Sequence, residues 1–147
     1  MVIGIIGESC TGKSTLAEKL KFMLNAQVYT GKDYLRLAKN EAIAKHMFEK
    51  MLTDAMDNTH ILYVISEKEH LPLLPEKAYR VLVTADLELI KERFSKRMHG
   101  HLPAPVALML ENKHGCFDNE KCDVRIVSGQ DDLDQACECI CSAVNSL

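Results

Sequence analysis

Features that would indicate a membrane or nucleic-acid-binding protein are missing from this sequence. No apolar stretch approaches the roughly 18 residues that a membrane-spanning helix needs. The apolar segment at residues 1–6 is too short for a signal peptide and has no basic flank. Lysine and arginine number 18 against 21 aspartate and glutamate, so the net charge of −3 creates no field that would gather nucleic acid or anionic lipid. We therefore expect a cytoplasmic protein with no nucleic-acid partner and no membrane partner.

The cysteines do not indicate a disulfide framework. With 147 residues, 47% of them hydrophobic, the chain fits a single domain spanning residues 1–147. A domain of this size buries roughly 68–70% of the surface that its unfolded chain exposes, so it can fold without disulfide bonds. We expect the six cysteines to be reduced thiols, as is usual in the cytosol.

Short apolar segments alternate with helical patterns along the whole chain. The first segment, Val2–Ile6, is apolar on both faces and rich in β-branched residues, which is typical of a strand in a covered parallel sheet. Because each parallel connection needs a crossover, the alternation predicts a three-layer α/β/α fold around a mostly parallel sheet. The predicted strands are residues 2–6, 26–30, 60–66, 80–84 and 123–127. The predicted helices are one beginning after residue 15 and those at residues 34–55, 86–98, 106–112 and 133–144.

The segment between the first strand and the first helix matches the phosphate-binding pattern G-x-x-x-x-G-K-[ST]. Its glycines let successive N–H groups point at a β-phosphate, and the N-terminus of the following helix adds a partial positive charge. Lys13 would reach the β- and γ-phosphates, and the Ser14 hydroxyl would hold Mg²⁺. The predicted nucleotide-binding residues are Gly7, Glu8, Ser9, Cys10, Thr11, Gly12, Lys13, Ser14 and Thr15.

Three further segments resemble the small P-loop kinases of the adenylate and cytidylate kinase type. Residues 30–36, T-G-K-D-Y-L-R, are similar to the T-G-D-x-L-R segment that follows the second strand in those enzymes. Residues 86–97 resemble the helix that leads into their lid and carries two arginines, and residues 122–127 resemble their last strand. The resemblance implies a P-loop NTPase fold with five strands in the order 2-3-1-4-5. It also implies phosphoryl transfer from ATP to a small acceptor.

The sequence departs from that family in three places. Cys10 stands where the phosphate loop usually has a glycine, which puts a thiol beside the nucleotide. Ser66 and Glu67 end the third strand, where an Asp-Gly pair is common among adenylate kinases. The predicted lid, residues 98–105, is short. These differences concern the acceptor and leave the donor site unchanged.

Two charged residues follow the second predicted strand, at the edge of the sheet where ligands bind in open α/β folds. The Asp33 carboxylate could accept a proton from the acceptor or order a Mg²⁺-bound water, or it could cap a helix before Tyr34. The resemblance implies that Arg36 binds the anionic group of the acceptor, and a solvated surface arginine is the alternative. Glu67 is a weaker candidate for contact with metal or water.

Arg93 and Arg97 are four residues apart and therefore share one face of the predicted helix. Paired guanidinium groups could clamp the oxygens of a transferring phosphoryl group. The alternative is an exposed face with ion pairs such as Glu92 with Lys96. We expect residues 98–105, which follow Arg97, to close over the site and expel water.

Two groups of cysteines have the residue types of a metal site without its spacing. Residues 137, 139 and 141 cannot form a common site on a helix, because the second lies about 200° around the helix from the first. His114, Cys116 and Cys122 match no paired C-x-x-C pattern, and we expect a solvent-facing loop there.

The sequence as a whole predicts a phosphotransferase that uses Mg·ATP, and the resemblance favours a nucleoside monophosphate as the acceptor. Two alternatives stay open: a nucleotide-binding ATPase or switch without a small acceptor, and a kinase of a hydroxyl acceptor such as a sugar, a shikimate-like acid or an antibiotic. The predicted catalytic residues are Lys13, Asp33, Arg93 and Arg97, the acceptor-binding residues are Asp33 and Arg36, and the metal-binding residue is Ser14.

Overall fold

β-Branched and aliphatic runs form the middle of a five-stranded sheet in which every pair of neighbouring strands is parallel. The computed structural model describes all 147 residues, from Met1 to Leu147. The strand order β2-β3-β1-β4-β5 confirms the predicted order and the α/β class. The strands are β1 (Val2–Ile6), β2 (Gln27–Thr30), β3 (Ile61–Ile65), β4 (Tyr79–Thr84) and β5 (Val124–Val127).

Helices cover both faces of the sheet, as predicted. Alternate side chains of β1 point to opposite faces, so Val2 and Ile6 join one core cluster while Ile3 and Ile5 join the other. The first cluster lies under α2 and the second under α1 and α5. No helix is both long enough and apolar enough to span a membrane. The helices are α1 (Lys13–Leu24), α2 (Glu41–Asn58), α3 (Leu87–Arg97), α4 (Ala104–Lys113) and α5 (Leu133–Asn145).

The helix predicted for residues 34–55 is wrong in its first turns. A short 3₁₀ helix, Asp33–Leu37, follows β2, and α2 begins only at Glu41. The side chain of Asn40 accepts a hydrogen bond from the Ile43 N–H at 3.1 Å, which caps the start of α2. The apolar spacing continued through this boundary, and the capping residue determined where the helix begins.

The loop expected to face solvent, residues 114–122, is also different from the prediction. Phe117 is 2% exposed and belongs to the core cluster under α2. Cys116 and Cys122 are partly buried against the same cluster. This segment therefore closes one end of the core and carries α4 back to the edge of the sheet.

The first glycine of the phosphate loop is required by a close backbone approach. The Gly7 N–H donates to the Ile65 carbonyl at 3.1 Å, which holds the loop against the end of β3. A Cβ at Gly7 would overlap the backbone carbonyl oxygen of Val83 in β4, an atom that cannot move without distorting the strand.

We predict that Gly7→Ala lowers the free energy of unfolding by about 1–3 kcal/mol, because the methyl group must displace the strand or the loop. The matched control is Gly4→Ala in β1, whose methyl group would meet only the flexible side chain of Leu74. Denaturant unfolding compares the two variants. Equal losses of stability would contradict the close approach at Gly7.

Candidate functional site

The phosphate loop connects β1 to α1 and turns through two residues with positive φ. These are Cys10 at +64° and Gly12 at +99°. The Thr11 hydroxyl donates to the Glu8 carbonyl at 2.8 Å and stabilises the turn from inside. Gly12 precedes α1 without a side-chain cap, and the first turn of that helix has no acidic residue. No side chain therefore caps the N–H groups at this helix start, and their binding of an anion stays a prediction.

Lys13 is a buried ammonium group at the first position of α1. The residue is 5% exposed, and its Nζ donates to the Glu8 carbonyl. Burial lowers the pKa of Lys13 to about 8, the positive charge of Arg97 acts in the same direction, and Cys10 and Glu8 act in the opposite direction. A desolvated cation of this kind is stabilised by any anion that enters beside it.

A cavity of about 110 Å³ lies beside Lys13, at the carboxyl ends of β2 and β3. Its polar side chains are hydroxyl groups and cations, and none of the lining residues is an aspartate, a glutamate or a histidine. The hydroxyl groups belong to Ser9, Ser14, Thr30 and Ser66, and the cations belong to Lys13 and Arg97.

A second cavity of about 410 Å³ lies on the other side of Gly12 and reaches the loop that follows β5. Its volume is in the range of sites that hold small organic ligands. Arg97 and Gly12 line both cavities, so the two spaces meet along the phosphate loop. Its other lining residues include Thr15, Arg93, Ser128, Gly129, Asp131 and Leu133.

The two arginines of α3 share a helix face, as predicted, but they have different environments. Arg93 Nη1 donates to the Cys10 carbonyl at 3.1 Å and to the Ser128 hydroxyl at 3.0 Å. Arg93 thus joins the phosphate loop to the loop after β5. Arg97, one turn later, is exposed and borders both cavities.

Asp33 and Arg36 line neither cavity. Asp33 Oδ2 accepts a hydrogen bond from the Thr30 N–H at 2.9 Å, so the carboxylate closes a turn rather than capping a helix. Arg36 Nη2 lies 3.8 Å from the same oxygen, and its side chain is exposed. The other acidic candidate, Glu67, lies 3.4 Å from Lys113 Nζ.

Cys10 borders the cavities, but its side chain is held away from solvent. The residue is 6% exposed and packs with Ala85, Ile90 and Leu110 beneath the helices α3 and α4. The thiol therefore makes an apolar contact of the loop, and its place beside the nucleotide stays a prediction. In the whole chain, no three histidine, cysteine, aspartate or glutamate residues lie close enough together to hold a metal ion.

Sequence reasoning missed several residues that line the cavities. Thr30 ends β2, Ser66 follows β3, and Ser128 follows β5. The carboxyl ends of parallel strands meet at one edge of the sheet, where open α/β folds bind their ligands. That position was the signal that could have identified these three hydroxyl groups.

Solved structures match this chain over nearly its whole length, whereas no family model and no curated protein matches it. The YorR protein of Bacillus subtilis, in complex with phosphorylated GDP, is 22% identical with a TM-score of 0.65, and the match covers 99% of this chain and 96% of that one. Shikimate kinase from Acinetobacter baumannii is 14% identical with a TM-score of 0.65 and coverages of 99% and 93%. A gluconokinase from Sinorhizobium meliloti 1021 is 12% identical with a TM-score of 0.62 and coverages of 99% and 91%. The chain therefore has the P-loop kinase fold, which confirms the predicted fold.

We predict that Arg93→Ala lowers the free energy of unfolding by about 1–3 kcal/mol, because the Cys10 carbonyl and the Ser128 hydroxyl both lose a charged hydrogen-bond donor. The control is Arg97→Ala, one turn away on the same face, which should change stability by no more than about 0.5 kcal/mol. Denaturant unfolding measures both. A larger loss for Arg97→Ala than for Arg93→Ala would contradict the assignment of the anchoring role to Arg93.

Proposed function

We propose that this protein is a P-loop kinase that transfers the γ-phosphoryl group of Mg·ATP to a small acceptor that already carries a phosphate, most simply a nucleoside monophosphate. The observation that carries the proposal is the smaller cavity, in which Lys13 and Arg97 supply the only side-chain charges. Both charges are positive, so the cavity suits phosphate oxygens on the donor and on the acceptor.

The donor nucleotide would occupy both cavities. The larger one has room for the nucleoside, between Arg93 and the loop that follows β5. The triphosphate would pass Gly12 into the smaller cavity, where the loop N–H groups, Lys13 and the helix N-terminus bind its oxygens. The absence of an N-K-x-D loop in the sequence favours ATP over GTP as the donor.

The residues of the smaller cavity fit a Mg²⁺ ion that arrives with the nucleotide. Magnesium requires octahedral oxygen ligands and usually keeps several waters beside the phosphate oxygens. The Ser14 hydroxyl would be the direct protein ligand, and Thr30 and Ser66 would bind the waters of its coordination shell. The ion supplies neutralisation of the phosphate charge.

The chemistry of the lining favours a phosphate acceptor over a hydroxyl acceptor. A neutral hydroxyl must lose its proton to a general base, and no carboxylate or imidazole lines the smaller cavity. A phosphate monoester is already ionised at neutral pH and needs no base. Asp33, the base predicted from the sequence, has one oxygen occupied by the Thr30 N–H and is paired with Arg36.

Catalysis would then be positioning and charge stabilisation. An acceptor phosphate oxygen forms a bond to the γ-phosphorus while the bond from that phosphorus to the β,γ-bridging oxygen breaks, and ADP leaves with the electron pair. Lys13 and the loop N–H groups stabilise the charge on the departing oxygen. Arg97 stabilises the transferring group, and closure of residues 98–105 excludes competing water.

We predict that the affinity for Mg·ATP falls as the pH rises through about 8, because the free protein loses the Lys13 proton there. Bound phosphates favour the charged ammonium and raise its pKa, so binding at pH 9 should take up as much as one proton. Titration calorimetry in two buffers of different ionisation enthalpy measures this uptake.

The matched variant Lys13→Met removes the titrating group, so its weaker affinity should not vary with pH above 8. The variant should remain folded and lose most of its phosphoryl transfer. If the affinity of the unchanged protein for Mg·ATP stays constant from pH 7.5 to pH 9.5, the proposed binding of phosphate by the Lys13 ammonium is contradicted.

The test of the function is a screen of acceptors with Mg·ATP, scored by ADP release above the acceptor-free rate. We expect a response to one or more nucleoside monophosphates and none to shikimate, gluconate or other hydroxyl acceptors. With the responding acceptor, Asp33→Asn should change kcat by less than about tenfold, because a phosphate acceptor needs no base.

Two outcomes would contradict the proposal. A hydroxyl acceptor whose turnover falls by about 100-fold or more in Asp33→Asn would identify Asp33 as a general base. Binding of Mg·ATP without a response to any acceptor would favour a nucleotide-binding protein that performs no transfer.

A further inference from the structure

Glu8 places a negative charge inside a loop that binds anions, and the structure shows what holds that charge. The side chain is only 11% exposed. Its Oε1 lies 3.1 Å from Nδ1 of His114, and its Oε2 accepts the Gly115 N–H at 3.1 Å. Both carboxylate oxygens therefore face the end of α4 and are turned away from the phosphate cavity, which Glu8 does not line.

The phosphate loop contacts α4 a second time through Cys10. The buried Cys10 side chain packs with Leu110 in the last turn of α4, and His114 directly follows that helix. The turn that receives Glu8 favours a glycine, because Gly115 has a φ of +81° and a Cβ there would lie 3.1 Å from Asp118 Oδ2. The loop thus contacts the end of α4 by two polar contacts of Glu8 and by the apolar packing of Cys10.

The neighbouring helix α3 is attached to the same loop. Arg93 donates to the Cys10 carbonyl, and Lys91 of α3 pairs with Glu111 of α4 at 2.6 Å. Both helices are therefore attached to the phosphate loop, and they are joined to each other by this ion pair. The segment that joins them, residues 98–103, includes three consecutive exposed residues, and Arg97 borders it.

We propose that Glu8 is a positioning residue that couples occupation of the phosphate loop to the pair of helices α3 and α4. The ammonium of Lys13 donates to the Glu8 backbone carbonyl, so a phosphate that draws Lys13 away changes the hydrogen bonding of Glu8 itself. The Glu8 side chain transmits that change to His114 and Gly115. This proposal rests on the proposed function, because it requires a phosphate ligand at Lys13.

The experiment compares the unchanged protein with Glu8→Ala and Glu8→Gln by amide hydrogen exchange, with and without Mg·ATP. Without nucleotide, the Gly115 N–H should exchange roughly tenfold faster in Glu8→Ala than in the unchanged protein, because it loses its acceptor. In Glu8→Gln the amide oxygen still accepts from Gly115, and the amide nitrogen can pair with the His114 ring, so exchange stays within about threefold.

Addition of Mg·ATP gives the decisive measurement. In the unchanged protein and in Glu8→Gln, saturation should slow exchange across residues 110–116 by roughly tenfold. In Glu8→Ala the nucleotide should still bind within about tenfold of the original affinity, measured by calorimetry, but this protection should be lost. The control Glu111→Ala removes the ion pair between α3 and α4 and should retain the protection.

Three results would overturn the coupling. Protection in Glu8→Ala equal to that of the unchanged protein would show that Glu8 transmits nothing. If Glu8→Gln loses the protection as completely as Glu8→Ala does, the negative charge of Glu8 carries the effect and its hydrogen bonds to residues 114 and 115 do not. Loss of protection in Glu111→Ala would show that the α3–α4 contact carries the effect. Failure of Mg·ATP to bind the unchanged protein would instead overturn the proposed function, and with it the ligand that the coupling requires.

Discussion

The buried ammonium of Lys13 is the interaction on which the rest of the site depends. Burial removes water from the ammonium group and so destabilises its charged form. The hydrogen bond to a single backbone carbonyl compensates only part of that cost. The loop around it has no acidic side chain that faces the cavity, and α1 begins with free N–H groups. In the proposed function an anionic ligand supplies the missing partner, and affinity for phosphate would then be a consequence of how the loop folds.

The strand order places this loop at the centre of the sheet. β1 lies between β3 and β4 in the sheet. The chain that leaves β1 therefore enters the crevice at the sheet edge between the helical connections on its two faces. Thr30 and Ser66 reach the loop from one side and Ser128 from the other. Two cavities result, one on each side of Gly12. In the proposed function a donor nucleotide would occupy both, with its terminal phosphate at the hydroxyl-lined end.

Local patterns were sufficient to predict the strands, the phosphate loop and the alternation of elements, because each depends on neighbours in the sequence. The order of the strands came from family resemblance and was confirmed. The contacts that shape the site could not be predicted, because they join distant parts of the chain. Glu8 and His114 are 106 positions apart, and nothing in either segment indicates the other. The 3₁₀ helix at Asp33–Leu37 was missed for a different reason, since its apolar spacing matched that of α2.

The difference between Arg93 and Arg97 shows how the same helix face can serve two purposes. Arg93 donates to a carbonyl of the phosphate loop and to Ser128, so it attaches α3 to both loops. Arg97 is exposed and lies one turn closer to residues 98–103. In the proposed reaction Arg97 would move with the lid predicted at residues 98–105 while Arg93 keeps α3 attached to the phosphate loop. These two roles require two arginines one helical turn apart, because a single residue could not both hold the loop and move with a closing segment.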